Sequence, residues 1–253
     1  MISLTFDIEP DLHTPTYKGI TEGIPKIQCI LSKHKVSATF FVTCDCIEKH
    51  PEIFQKLHRE GHEIALHAYR HERFDDMPLD EKEDAIKKSI IVFQKYLNQH
   101  PQGFRAPQHS IDKHTLNLLQ KYNFKYDSSK TPLNAFQFLF FPKRLKSNLS
   151  GFFSNPRKHK IGNLSEIPPT AFIIPHVSIV LRVMPNFIQK IYFSFLNLFF
   201  KEVIFYAHSW DFIPLEKSRL DRKFPHAKVI KNLDNLITKM KPKNKFVRMI
   251  ELI

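Results

Sequence analysis

HEIALHAYRHERF, His62 to Phe74, runs from an apolar segment, Ile64 to Leu66, straight into two histidines four residues apart, His67 and His71. The apolar segment reads as the end of a buried strand. Two imidazoles at that spacing can share one metal ion, either on one helix face or across a tight turn leaving the strand. The same spacing also describes an ordinary surface or capping pair, so a further ligand has to come from elsewhere in the chain. A metal site that keeps one position open for water takes a carboxylate or a third imidazole beside such a pair. The N-terminus offers carboxylates. In SLTFDIEPD, Ser3 to Asp11, a strand runs into Asp7 and Glu9, which point to one face while Ile8 points to the other. Read alone, these acids equally suit the polar end of an ordinary strand.

Outward from this stretch, Ile2 to Phe6 is expected as a first strand, and about Thr21 to His34 as a helix with Ile24, Ile27, Ile30 and Leu31 on one face. Val36 to Val42 follows as the second strand, Pro51 to Arg59 as a short helix stopped by Gly61, and His62 to Leu66 as the third strand. This alternation argues for parallel strands joined by helical crossovers, an α/β fold with its chemistry on loops after the strand ends. A long amphipathic helix is expected from about Leu79, capped by Asp80 or a neighbour. GFRAP, Gly103 to Pro107, ends a short strand on Arg105; a helix from about Asp112 to Tyr122 and a strand Phe124 to Asp127 repeat the unit. From about 133 to 160 the pattern gives way to Phe-rich, Lys/Arg-rich irregular sequence, read as an insertion within one domain spanning 1–253. Ser165 to Pro169 marks a strand end, with Glu166 as an exposed acid or substrate contact. Pro185 to Phe200 is expected as a helix, Val203 to His208 as a buried strand, about Ala227 to Lys239 as the last helix and Lys245 to Leu252 as a closing strand.

With 42% hydrophobic residues and 6 glycines in 253, the chain is a folded globular protein rather than a disordered one. Its formal net charge of +13 favours anionic partners such as phosphate-bearing substrates or acidic lipid headgroups. No recognised nucleic-acid module accompanies the charge, so nucleic acid is not expected as a partner. Cys29, Cys44 and Cys46 make an odd count without a disulfide framework, which fits a reduced, cytoplasmic protein. MISLTFDIEP carries acids where a signal peptide needs positive charge, pointing away from export by that route. No stretch reaches the ~18 apolar residues of a spanning helix, so the protein is expected to be soluble or peripheral. The Phe-rich segments have two readings. Pro185 to Phe200 is a barrel helix packed on the sheet, or aromatics beside Lys143, Arg144, Lys146, Arg157, Lys158 and Lys160 make peripheral contact with an anionic membrane at its inner face.

Together, TFDIE, HAYRH, FRAP, YDSS and YAHSW follow the order and rough spacing of the motifs of the polysaccharide deacetylase family, the NodB-homology fold. The chain resembles that family over most of its length, and particularly the Asp-x-Glu or Asp-x-Asp branch that includes deformylases of lipid-linked aminosugars. The resemblance implies a distorted (β/α) barrel of mostly parallel strands and one divalent metal ion, Zn2+ being the first choice. It also implies hydrolysis of an N-acyl group, acetyl or formyl, from an amino sugar that is polyprenyl-linked or part of a cell-envelope glycan. Residue by residue, it implies His67 and His71 as metal ligands, Asp7 as general base, Arg105 as the residue holding that base, His208 as the catalytic histidine and Asp127 as the acid that orients it. The family's metal-binding Asp falls at Ile8, which cannot ligate. Glu9 is the natural replacement, which leaves the roles of Asp7 and Glu9 interchangeable. The tryptophan usual after Asp127 is absent; Trp210 is assigned to the acyl pocket instead, with Tyr206 as a second substrate contact. Two other readings remain: hydrolysis of a non-sugar linear amide on the same fold, and an inactive carbohydrate-binding relative, suggested by the departure at Ile8.

Overall fold

Near-continuous apolar runs become strands buried on both faces. The computed structural model describes residues 1–12, 14, 16–135, 149, 151–215 and 223–253. Its strands are β1 (Ile2–Ile8), β2 (Thr39–Val42), β3 (Glu63–Leu66), β4 (Gly103–Phe104), β5 (Tyr126–Asp127), β6 (His159–Ile161), β7 (Leu164–Glu166), β8 (Ala171–Phe172), β9 (Ile174–Pro175) and β10 (Val203–His208). Eight of them form one sheet in the order β10-β1-β2-β3-β4-β5-β7-β6, parallel throughout except for β6 against β7. β8 and β9 make a separate antiparallel pair. The chain around them spans the gap between β7 and β10. Ile204 N–H donates to Thr170 Oγ1 at 2.8 Å, and Tyr206 N–H donates to the His176 carbonyl at 3.1 Å. The sheet is therefore the distorted, mostly parallel barrel that the family resemblance implies.

Alternation along the strands separates two cores. Leu4, Phe6 and Ile8 of β1, Phe40 and Val42 of β2, and Ile64 and Leu66 of β3 face outward into the helix layer. Phe41, Ala65, Tyr126 and Ile204 face the lumen, where Val247, Met249 and Leu252 of the C-terminal tail join them. Thr5 and Asp7 share that inward face, both bonded to Arg105. The helices outside are α1 (Ile24–His34), α2 (Cys44–Lys49), α3 (Pro51–Arg59), α4 (Leu79–Leu97), α5 (Lys113–Lys121), α6 (Ser178–Val183), α7 (Asn186–Phe199) and α8 (His226–Met240). No helix among the described residues is long and apolar enough to cross a membrane.

Several expectations change. α2 was not expected; six residues are too few to show a helical period, and Cys44 and Cys46 are buried within it. Its first N–H groups, of Cys44 and Asp45, donate to the carbonyls of Ala68 and Tyr69 at 3.2 Å each, which pins the turn after β3. α4 begins after Pro78 without any side-chain cap, so Asp80 does not cap it. As a first-turn acid, Asp80 instead complements the positive end of the helix dipole. Lys245 to Leu252 is not a strand. After one bridge between Ile2 and Phe246, it turns into a short 3-10 helix, Met249–Leu252. Met249 and Ile250 donate their N–H groups to Thr39 Oγ1 and Glu63 Oε2 at 2.9 and 3.0 Å, so side chains at the barrel floor replace a ladder. Of the expected insertion, residues 136–148 and 150, with Lys143, Arg144 and Lys146, lie outside the described residues; its end forms β6. Glu166 is not exposed: it is fully buried against Asp127.

Candidate catalytic and metal centre

Three strand ends supply the polar cluster. Asp7 lies opposite His208 in the register of β1 with β10, and Glu9 follows where β1 ends. His67 follows β3 directly, and the chain then turns through Ala68 (φ 72°) and His71 (φ 60°). Left-handed backbone at two non-glycine residues is costly and is held here by the hydrogen bonds from α2. The turn brings both imidazoles to Glu9. His71 Nε2 is 2.6 Å and His67 Nε2 3.5 Å from Glu9 Oε2, and one ligand atom from each of the three residues lies within 4.8 Å of the others.

The donor chemistry of this trio fits a cation. His67 Nδ1 lies 2.8 Å from the Arg105 carbonyl, which can only accept, so Nδ1 carries the proton and Nε2 turns its lone pair toward Glu9. Glu9 Oε2 is buried without a hydrogen bond of good geometry even though two imidazole nitrogens approach it. Electron-pair donors converging on one another, with no proton placed between them, are what a divalent cation would satisfy. Burial favours the neutral acid at Glu9. The close approach of the His67 and His71 imidazoles and the charge of His208 outweigh it and hold the carboxyl well below the usual range.

Asp7 has a different partner. Arg105, fully buried, donates from one guanidinium nitrogen to Asp7 Oδ1 at 2.7 Å and to Thr5 Oγ1 at 2.9 Å. The rest of the guanidinium is held by the Ser128 carbonyl (3.2 Å) and Ser128 Oγ (2.9 Å), and its plane lies over the Phe41 ring, 4.1 Å from the centroid. Burial raises the Asp7 carboxyl, but the Arg105 charge, joined by that of His208, more than offsets this and keeps it ionised. Asp7 Oδ2 stays 4.0 Å from His67 Nε2. The acids that the sequence left interchangeable are thus in different surroundings: Glu9 among imidazoles, Asp7 against arginine.

His208 is oriented by Asp211, not by Asp127. Asp211 Oδ2 accepts from the His208 backbone N–H at 2.9 Å and lies 3.6 Å from the ring Nδ1, while the Arg182 guanidinium donates to the Asp211 backbone carbonyl at 2.9 Å. Asp127 faces the other way. It accepts from Ser129 Oγ at 2.6 Å, and Ser129 Oγ in turn accepts from the Ala106 N–H at 2.8 Å, so the YDSS stretch braces the backbone beside Arg105. Burial raises both Asp127 and Glu166, and the nearby Asp127 charge pushes Glu166 up further, so Glu166 is the protonated partner of the pair.

Trp210 stacks on His208, centroids 4.2 Å apart and planes 12° from parallel, and its Nε1–H donates to Glu9 Oε1 at 3.4 Å. Its place depends on Gly19 and Gly23. A Cβ on Gly19 would fall 2.9 Å from the Trp210 nitrogen, and one on Gly23 would fall 2.3 Å from the Ser209 carbonyl. Tyr206 stands between Arg105, His109 and His208, with ring distances of 5.5, 5.3 and 5.9 Å, and burial keeps its phenol protonated. His109 also belongs to this wall; burial and the Arg105 charge push it down to about 3, so it is neutral. No sequence signal marks His109, whereas Asp211 stands in the sequence as the acid directly after Ser-Trp.

Burial lowers the His208 imidazole, but its bond to Asp211 and the charges of Glu9, Asp211 and Asp7 overturn that and raise it to about 9. A folded value above the ordinary 6.5 means that charged His208 stabilises the fold fully below about pH 6.5, and that this is lost as pH rises through about 9. In chelator-treated protein, Asp211→Asn is expected to move the loss to lower pH. Urea midpoints across pH 6 to 10 check this, and an identical pH dependence in wild type and variant would refute it.

The surroundings agree with the comparisons. The family model described as polysaccharide deacetylase matches residues 1–126. A peptidoglycan deacetylase of Helicobacter pylori is 33% identical over 107 residues, 42% of this chain and 36% of that protein. Through residues 1–126, then, the chain belongs to the polysaccharide deacetylase family. The aligned parts span only about a third to two fifths of the curated relatives' lengths. The crystal structure of a candidate polysaccharide deacetylase from Mycobacterium smegmatis superposes with a TM-score of 0.74 at 19% identity, covering 99% of this chain and 87% of that one. Puue allantoinase superposes with 0.69 at 13% identity, covering 99% and 88%. These two likenesses establish the fold.

Proposed function

We propose that the protein hydrolyses an N-acyl group, acetyl or formyl, from an amino sugar of a glycan or of a polyprenyl-linked precursor, and that a divalent cation is needed. One observation carries this reading: an ionised carboxylate, Asp7, and an imidazole with a raised pKa, His208, both stand about one atom's reach from the Glu9, His67 and His71 trio. Two titratable groups pushed to opposite protonation states are a base and an acid in waiting. Glu9, His67 and His71 would hold the cation, zinc being the first choice for two imidazoles and a carboxylate, and when bound it would polarise the acyl carbonyl and lower the pKa of a water from ~15.7 toward ~7.

The chain's own residues supply the proton transfers. Asp7 Oδ2, left free by Arg105, takes a proton from the water that attacks the acyl carbon. Arg105 keeps that oxygen charged until then. His208 Nε2 gives its proton to the amide nitrogen as the C–N bond breaks, because an amine leaves poorly unless protonated. Asp211 and Trp210 fix the ring's direction, and Tyr206 and Trp210 line the approach. The products are a carboxylate and a free amino sugar. The Helicobacter pylori relative's name, a peptidoglycan deacetylase, favours a sugar over a linear amide. An inactive relative is disfavoured because Ile8 packs into the helix layer while Glu9 offers the missing carboxylate.

The test is acetate or formate release from N-acylated chitooligosaccharides and peptidoglycan fragments, with and without added metal. His208→Ala is expected to lower turnover by roughly 10^2 to 10^4, the range for losing a general acid, with metal content unchanged. Release of neither acid from any N-acyl sugar by metal-loaded protein would reject the reading, and full turnover in the variant would remove His208 from it.

A further inference from the structure

We propose that the outer wall formed by α7 and the β8–β9 hairpin docks on a bilayer containing anionic phospholipid. This rests on the wall's own shape and charge and is independent of the deacylase reading. α7 buries only Gln189, Phe193 and Leu196. Phe187, Ile188, Ile191, Leu198 and Phe199 point to solvent, with Ile191 67% and Leu198 79% exposed. A helix packed on a barrel ordinarily turns a polar face outward. The hairpin extends the apolar strip: the Phe172 ring lies 4.9 Å from Phe195, and Ile173 at the tip is 62% exposed with φ 66°. A β-branched side chain held outward in left-handed backbone is a costly way to display an apolar group.

Charge identifies what covers the strip. From Ser128 to Lys201 the sequence contains ten Lys and Arg residues, of which Arg182 is buried, and one acid, Glu166, also buried. On one side of α7, Lys190, Lys239 and Lys243 border a groove of about 620 Å³. At its C-terminal end, Arg157, Lys158 and Lys201 border a second groove of about 720 Å³, which shares Asn197 with the first and whose one carboxylate, Glu202, lies 3.9 Å from Lys158. An apolar ridge bordered along one side and at one end by cation-lined grooves matches a membrane surface: the ridge enters the acyl boundary while the cations meet headgroup phosphates. A second copy of the chain is a poorer match, since a symmetric contact would set these cations against one another.

Flotation with phosphatidylcholine vesicles and with mixed phosphatidylcholine and phosphatidylglycerol vesicles tests the proposal. Wild-type protein is expected to float with the mixed vesicles only, and to release in high salt. Ile191→Asp with Leu198→Asp should weaken binding about tenfold or more with an unchanged circular dichroism spectrum, because both side chains are already in water. Lys190→Glu with Lys201→Glu should weaken it as well, separating headgroup attraction from apolar insertion. Three results would each overturn the proposal: no flotation with anionic vesicles at low salt, equal binding by the Asp variant, or a dimer in sedimentation that the Asp variant dissolves.

Discussion

Glu9→Gln is expected to strip the protein of divalent metal and to cut acyl release by roughly 10^3-fold or more, on the scale of losing strong electrostatic stabilisation at a reacting centre. Glutamine keeps the shape of Glu9 and can still accept from the Trp210 indole. What it removes is the negative charge between the two imidazoles. Neutral nitrogen and amide donors leave a divalent ion uncompensated in a site where Glu9 is 8% exposed. Elemental analysis after dialysis reads metal content directly, and acetate or formate assays read turnover. If Glu9→Gln retains full metal and Asp7→Asn loses it, the ligand and base roles are the reverse of those proposed.

Arg105→Met is expected to cause the largest loss of stability, about 3–5 kcal/mol, because it leaves Asp7 as a buried carboxylate without its cation. That is a large part of the ~5–15 kcal/mol that holds a domain together. The guanidinium is fully buried and also braces Thr5 and Ser128, so no water can take its place without rearrangement. The double variant Arg105→Met with Asp7→Asn separates the causes. If the orphaned charge is the main cost, the second substitution recovers much of the first, and urea midpoints show strong non-additivity. A double variant no more stable than Arg105→Met alone would mean that packing, not charge, sets the cost.

Elements with a clear period were readable in advance. Pro51–Arg59 and Val203–His208 appear with the bounds the sequence suggested, because one is punctuated by proline and glycine and the other is an uninterrupted apolar run ending in histidine. α2 was hidden because six residues carry no period, and the C-terminal tail looked like a strand because its apolar alternation serves a plug instead. Glu166 looked solvent-facing because a carboxylate seldom goes fully underground; here it shares a proton-bearing contact with Asp127 that no spacing announces.

Within the site, the sequence by itself determined the chemical inventory: two histidines four apart after a strand, two acids two apart on another, an arginine and a late histidine each at a strand end. Periodicity placed these groups at the ends of parallel strands, which in such a barrel share one rim. Tertiary structure alone decided the pairings. Arg105 chooses Asp7 over Glu9 because both project into the lumen across 98 residues of chain, and Asp211 rather than Asp127 holds His208 because a short turn after β10 folds it back onto the ring. Local pattern fixes which face a side chain takes, but which inward-facing charges meet depends on barrel curvature and on how each loop leaves its strand, and these come from contacts between segments distant in sequence.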